Sequence, residues 1–321
     1  MPLAVSGPTA VASAPSGALV GAVCYLLACL FWGLNIPLTA TLFATFDAFW
    51  LACLRLSIAT VILAVWVGVT LGPAHLRPSI PWWRILVMSG CVSLFFVLYN
   101  LGLLYTNTIT AAAIMAGSPV YGAVVFRVMT HARLEKGFWG AALLTVIGAI
   151  IAIYGRAGEM GQSVALGGGE LFIVLSFVAW AVYSILAVRW FPTETPQLSR
   201  TFLTSLCAIP WLLLWWLLAR AVGLAGAPNL NPDPTALTYL LITAVFSTTL
   251  GNVLWNIGVA RLGVNAGMMW QNTVPVFAVL ISLVFFGVIP LFEQVLGGAL
   301  VLSGVLFMQW HRMREQRARA A

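Results

Sequence analysis

The chain reads as long apolar runs separated by short polar breaks. Ten runs reach the roughly 20 residues that a membrane-crossing helix needs: 18–41, 48–71, 84–106, 109–129, 137–155, 168–190, 199–221, 235–259, 265–288 and 292–310. Alternating strand patterns are lacking, and continuous apolar runs of this length exclude an outer-membrane barrel. The pattern therefore predicts an all-α integral membrane protein with ten transmembrane helices.

The runs are not independent of one another. The phrase YNLG at 99–102 returns as WNIG at 255–258. At the same offset of 156, Asn100 pairs with Asn256, Gly102 with Gly258, Pro119 with Pro275 and Gly148 with Gly304. Earlier in each half the offset is 148, pairing Trp32 with Trp180 and Asn35 with Tyr183, each pair spaced i, i+3 on one helix face. The change of offset places an insertion in the second half, and the Pro/Asn/Gly stretch GLAGAPNLNPDP (223–234) is a natural position for it. The chain thus divides into a tail (1–17), five spans (18–155), a linker (156–167), five more spans (168–310) and a basic tail (311–321). Five is odd, so the second half enters the membrane the opposite way up. Such an inverted repeat is a signature of secondary transporters.

Composition strengthens this picture. The chain is 62% hydrophobic and 7% charged, with a mean hydropathy of +1.02, whereas a soluble domain carries about a quarter charged residues. The net charge of +7 has too little polar surface around it to serve nucleic acid, and it acts instead on topology. With a cytoplasmic N-terminus, twelve of the 15 basic residues fall on the inner side, from Arg77 and Arg84 to Arg317 and Arg319. Only Arg156 and Arg220 fall outside, and Arg55 lies within the second span. Both termini are therefore expected in the cytoplasm, across a bacterial-type inner (plasma) membrane. The closing HRMREQRAR (311–319) reads as an anchor at anionic headgroups. The first 16 residues lack the basic start of a signal peptide. Cys24, Cys29, Cys53, Cys91 and Cys207 have no metal-ligand spacing and read as small packing residues, so no metal, disulfide or cofactor is expected.

Polar groups within a bilayer usually face the protein interior. Near midspan stand FWGLNIP (31–37), AGSPVYG (116–122), AWAVYS (179–184) and MWQNTVPVF (269–277). They supply a candidate substrate site of Trp32, Asn35, Tyr121, Trp180, Tyr183, Gln271 and Asn272. Pro119 and Pro275 are expected to kink the fourth and ninth helices and free the carbonyls of Met115 and Gln271. Tyr99, Asn100, Trp255 and Asn256 fall near helix ends on opposite sides of the membrane. They are candidate gate residues, away from a shared central pocket. No Asp, Glu or His falls at a midplane, which leaves a transmembrane proton relay without a carrier. Arg55, two turns into its helix, is expected to snorkel or to bind a helix end. There is no GxxxxGK[ST], HExxH or GxSxG, and the scattered acids and histidines do not suggest an enzyme.

These residues resemble a known family. The ten spans in two inverted halves are similar to the EamA-type members of the drug/metabolite transporter superfamily. The motifs that carry the likeness are FWGLN (31–35), TNTITAAAIMAGSPVYGAVV (106–125), WNIGVARLGVNAGMMWQNTVPVFAVLISLVFFG (255–287) and GGALVLSGVLF (297–307). Family members carry a Glu 13 residues after each proline, where this chain has Ala132 and Val288. The uncharged, aromatic middle looks most like the family's aromatic amino acid exporters. The resemblance implies a cavity between the halves and export of neutral, apolar or aromatic amino acids by alternating access. The expected partners are the lipid bilayer and a small-molecule substrate, with no nucleic acid, and the chain is expected to be a monomer. Drugs or other small metabolites are the alternative substrates. A membrane-embedded enzyme is the more distant reading.

Overall fold

The structure, a computed structural model, describes residues 15–106, 114–134, 136–159, 168–287 and 289–320. Lipid offers no hydrogen bonds to the backbone, so a lone crossing segment must satisfy its own N–H and C=O groups as a helix. The helices are α1 (Pro15–Leu42), α2 (Ala48–Thr70), α3 (Trp82–Tyr105), α4 (Ser118–Thr130), α5 (Phe138–Glu159), α6 (Glu170–Trp190) and α7 (Gln197–Ala221). They continue as α8 (Pro234–Leu262), α9 (Val264–Gln271 and Val274–Phe286) and α10 (Phe292–Ala320). Among the described residues, eight helical stretches are long and apolar enough to cross a membrane, and Phe138–Tyr154 is a shorter apolar helix. The predicted start of the fourth span, most of the linker and Val288 lie outside the described residues. The basic tail begins as an unbroken continuation of α10.

The halves interlock by exchanging partners. Helix α1 packs along α8, and its symmetry mate α6 packs along α3. Each pairing closes on the glycine of the repeated phrase. A Cβ at Gly258 would lie 2.6 Å from the Tyr25 ring, and one at Gly102 would strike Ile173. Tyr25 and Ile173 are themselves mates at the offset of 148. Without hydrophobic driving force between helices in lipid, such close approach supplies the packing energy.

Helices α5 and α10 make a second crossing whose contacts are pairwise reciprocal. A Cβ at Gly148 would meet the Gly297 carbonyl at 2.5 Å and the Val301 nitrogen at 2.7 Å. A Cβ at Gly304 would meet the Ala141 carbonyl at 2.8 Å and the Thr145 nitrogen at 3.0 Å. Every residue in the first set maps onto the second at the offset of 156. The two helices therefore cross on the pseudo-twofold axis.

The insertion has a structural role as well. Asp47 caps α2 by accepting from the backbone N–H groups of Phe49 and Trp50 at 3.0 Å each. Its second oxygen accepts from Gly226 N at 3.1 Å, while Asn229 Nδ2 donates to the Thr45 carbonyl at 3.2 Å. The loop after α7 is thereby clasped onto the α1–α2 turn.

Gly304→Ala is expected to separate α5 from α10 at a cost of about 1–3 kcal/mol. Gly68→Ala, where an added Cβ meets nothing within 4 Å, is expected to leave stability unchanged. Thermal unfolding of the two variants in detergent checks the contrast.

Candidate functional site

Three indole rings meet where α1, α6 and α8 cross. The centroid of Trp32 lies 6.0 Å from Trp180 and 5.2 Å from Trp255, and Trp180 lies 5.8 Å from Trp255. Trp32 and Trp180 are symmetry mates, so the axis between the halves passes between their rings. The cluster extends past Trp255 to Tyr25 at 5.2 Å. In the other direction it extends past Trp180 to Phe95 at 5.2 Å, and Tyr99 stacks on Phe95 at 5.9 Å. The result is a continuous aromatic spine through both halves. Tilted and edge-to-face rings at these separations attract beyond their buried area.

This geometry corrects the placement of Trp255. The sequence suggested a rim residue remote from the centre, but Trp255 is fully buried in the central cluster and donates from Nε1 to Ser184 Oγ at 3.3 Å. A signal for this was present in the sequence. Gly251, Trp255 and Gly258 fall at i, i+4 and i+7 on one face of α8, and the two glycines let Trp32 and Tyr25 close around the indole.

Asn256 is buried too. Its amide bonds the Tyr183 hydroxyl (3.2 Å from Oδ1, 3.1 Å from Nδ2) and donates to Thr201 Oγ1 at 2.9 Å, tying α8 to α6 and α7. Among the described residues its mate Asn100 makes a single long bond, 3.4 Å, to the Ala48 carbonyl. Tyr99 OH donates to Met115 Sδ at 3.5 Å. The repeated phrase therefore does different work in its two copies.

The prolines interrupt their helices rather than bending them. Pro275 follows a turn at Asn272 and Thr273 and sits second in the Val274–Phe286 segment of α9. Pro119 sits second in α4, after a turn at Gly117. Proline at a helix start loses no hydrogen bond, since the first N–H groups have no partner there anyway. Two carbonyls beside the breaks, those of Ala116 and Trp270, accept side-chain bonds. Asn272 Nδ2 donates to the Ala116 carbonyl at 3.0 Å, and Ser118 Oγ donates to Asn272 Oδ1 at 3.4 Å. The Trp270 carbonyl accepts from Thr273 Oγ1 at 2.7 Å and Cys29 Sγ at 3.2 Å. Ala116 and Asn272 are themselves 156 residues apart, so this bond also lies on the axis.

The remaining candidates divide by whether their polar atoms are engaged. Asn35 Oδ1 accepts from Thr39 Oγ1 at 2.9 Å. Tyr121 packs with Ile114 and Met115 against the buried Ile173 and Phe177 of α6. Trp180 Nε1, Trp270 Nε1 and Gln271 Oε1 have no hydrogen-bond partner among the described residues. Buried polar atoms are rarely left so.

The sequence reading also missed a polar cluster beside the indoles. Residues 243–250 of α8 form a π-helix, a wide turn that recurs at functional sites. Its Ser247 accepts at the carbonyl from Trp32 Nε1 at 3.2 Å. Its side chains meet Arg55, which neither snorkels nor binds a helix end. Arg55 NH2 donates to Ser247 Oγ at 3.2 Å and Thr248 Oγ1 at 3.1 Å, Nε to Thr248 Oγ1 at 3.3 Å, and NH1 to Thr39 Oγ1 at 3.4 Å.

Asn256→Leu strands the Tyr183 hydroxyl and is expected to cost about 1–3 kcal/mol. Asn100→Leu is expected to cost less than half as much. Paired thermal melts distinguish these from equal effects.

Comparison with known proteins agrees with this architecture. The EamA-like transporter family matches residues 19–154 and again 167–310. A probable terminal-alkyne amino-acid exporter of Streptantibioticus cattleyicolor is 29% identical over 270 residues, 82% of this chain and 84% of its own length. The uncharacterized transporter YyaM of Bacillus subtilis is 28% identical over 222 residues, 69% of this chain and 70% of its own length. A biotin transporter of Salmonella typhimurium is 26% identical over 196 residues, 60% of this chain and 61% of its own length. A solved crystal structure superposes with a TM-score of 0.77 at 20% identity, covering 94% of this chain and 99% of the other, and shares the fold. With both five-helix halves matched, the chain belongs to the EamA-like transporter family and is a multi-pass membrane transporter, not an enzyme.

Proposed function

We propose that the protein exports neutral, apolar or aromatic amino acids across a bacterial inner membrane, by alternating access of its two halves around the indole cluster. The observation that carries this reading is the contact of Trp32 with Trp180 on the axis between the halves. Rocking of one half against the other must open that contact, and a side chain entering there meets aromatic faces suited to apolar or aromatic groups. The amino-acid exporter among the relatives supports the substrate class. Twelve basic residues on one side against two on the other support cytoplasmic termini.

Within this proposal Trp32, Tyr121, Trp180 and Gln271 contact substrate. Asn35, Tyr183 and Asn272, whose polar groups already bond neighbouring helices, hold the walls in register. Tyr99 and Trp255, at different points of the aromatic spine, act as gates to the two sides. No Asp, Glu or His falls at a predicted midplane to carry protons, so in this proposal transport runs down the substrate gradient as a uniport. The biotin transporter among the relatives favours a second reading, export of another small metabolite with an apolar body.

Counterflow in proteoliposomes, with the twenty amino acids and biotin, tests the substrate class. Phenylalanine or leucine is expected to exchange, with Trp180→Ala weakening apparent affinity about ten-fold or more through the loss of aromatic contact. Exchange of biotin alone would replace the amino-acid reading with the second. A stoichiometric proton flux accompanying the substrate would overturn uniport. Tyr99→Ala and Trp255→Ala are expected to change cysteine accessibility unequally from the two membrane sides, and identical changes count against separate gates.

A further inference from the structure

We infer that Arg55, with Thr39, Ser247 and Thr248, forms the subsite for the carboxylate of the transported compound. This deepens the proposed function and rests on it only for the identity of the carrier, since any small monocarboxylate fits the same chemistry.

Arg55 is the eighth residue of α2, roughly 10 Å below the helix start at 1.5 Å per residue. A guanidinium stays charged in proteins, and a charge within a bilayer is costly unless it is paired or put to use. No carboxylate among the described residues bonds it. Asp47, the acid nearest in sequence, is committed to the cap of α2 and to Gly226. The four contacts that Arg55 makes fall on three neutral hydroxyl oxygens at 3.1–3.4 Å. Charge-assisted bonds to a carboxylate run at about 2.7–2.9 Å and are often bidentate, so the fork is held in place without being neutralised. It also remains half-buried rather than sealed.

Arg200 provides an internal contrast. It lies at the start of α7 and is spent on the backbone carbonyls of Pro192, Thr193 and Thr195. Those bonds close a loop, and Arg55 closes none.

The inverted repeat supplies an independent argument. The helices α1, α2 and α8 that carry this cluster have α6, α7 and α3 as mates. Thr39 maps onto Ala187 at the offset of 148, and α7 has no Lys or Arg between Arg200 and Arg220. At the same offset Arg55 maps onto Leu203, so the second half carries neither the guanidinium nor the Thr39 hydroxyl at the mated positions, and its nearby Arg200 is spent on loop carbonyls.

Position completes the case. Ser247 touches Arg55 through its hydroxyl and Trp32 through its carbonyl. A carboxylate on the guanidinium therefore leaves the rest of the molecule beside the indole cluster. One cation with no second Lys or Arg bonded at the site matches a monoanion, and a phosphate dianion would stay unbalanced.

The test measures ligand-dependent thermal stabilisation of the full chain in detergent with acid and amide pairs. The pairs are L-phenylalanine and L-phenylalaninamide, 3-phenylpropionate and its amide, and biotin and its amide. The wild type is expected to bind at least one acid about 10- to 100-fold more tightly than its amide. Arg55→Met is expected to abolish that preference, and Arg55→Lys to keep the charge but only part of the preference, having lost the fork. The wild-type comparison needs no variant and stands if Arg55→Met does not fold. No acid-over-amide preference in any pair, including no binding at all, overturns the site, as does a preference intact in Arg55→Met. Acid preference for phenylpropionate or biotin without amino acid counterflow sinks the amino-acid reading and leaves the site standing. Amino acid counterflow without acid preference does the reverse.

Discussion

Lipid tails are as apolar as leucine, so helices within a bilayer gain nothing by hiding hydrophobic surface from one another. They associate through close approach of backbones and through hydrogen bonds that have no solvent to compete with them. Both devices are concentrated here on the axis between the halves. Gly148 and Gly304 admit the facing helix at α5–α10, and Asn272 bonds the Ala116 carbonyl at α4–α9. Trp32 meets Trp180 at α1–α6. The Trp32–Trp180 and Ala116–Asn272 contacts each join a residue to its own mate, and the contacts of Gly148 and Gly304 exchange under the same offset, which is what a twofold axis imposes.

This constraint explains why function can reside in departures from symmetry. A fold that repeats itself inverted presents the same surface to both sides of the membrane, and a transporter needs that for two equivalent openings. A substrate molecule has no such symmetry. The polar groups proposed to recognise it, Arg55 and Gln271, break the repeat, as do the π-helix of α8 and the amides of Gln271 and Asn272. In the first half the last two positions are Met115 and Ala116. The conserved-looking pairs, by contrast, mostly serve packing.

The repeated phrase illustrates the division. Its glycine does the same job in both copies, admitting Ile173 or Tyr25. Its asparagine does not, because Asn256 faces Tyr183 and Thr201 while Asn100 finds only a backbone carbonyl at the limit of bonding distance. Its aromatic residue differs again. Trp255 is locked among indoles, whereas Tyr99 stacks at the far end of the same aromatic chain through Phe95.

Sequence by itself determined the helical class, the pattern of apolar runs, the inverted halves and the mating of Trp32 with Trp180. These depend on local quantities: run length sets membrane crossing, and an odd number of spans sets inversion. It also marked Pro119 and Pro275 as helix irregularities, though not whether each bends or starts its helix, since that depends on which carbonyls neighbouring helices occupy. Tertiary structure alone decided that Trp255 is central, that Asn272 staples two broken helices and that Arg55 meets three hydroxyls from α1 and α8. The partners of Arg55 alone lie 16 to 193 residues away along the chain. No periodicity within one helix encodes which face of another will meet it, because that is set by where small residues allow the backbones to close.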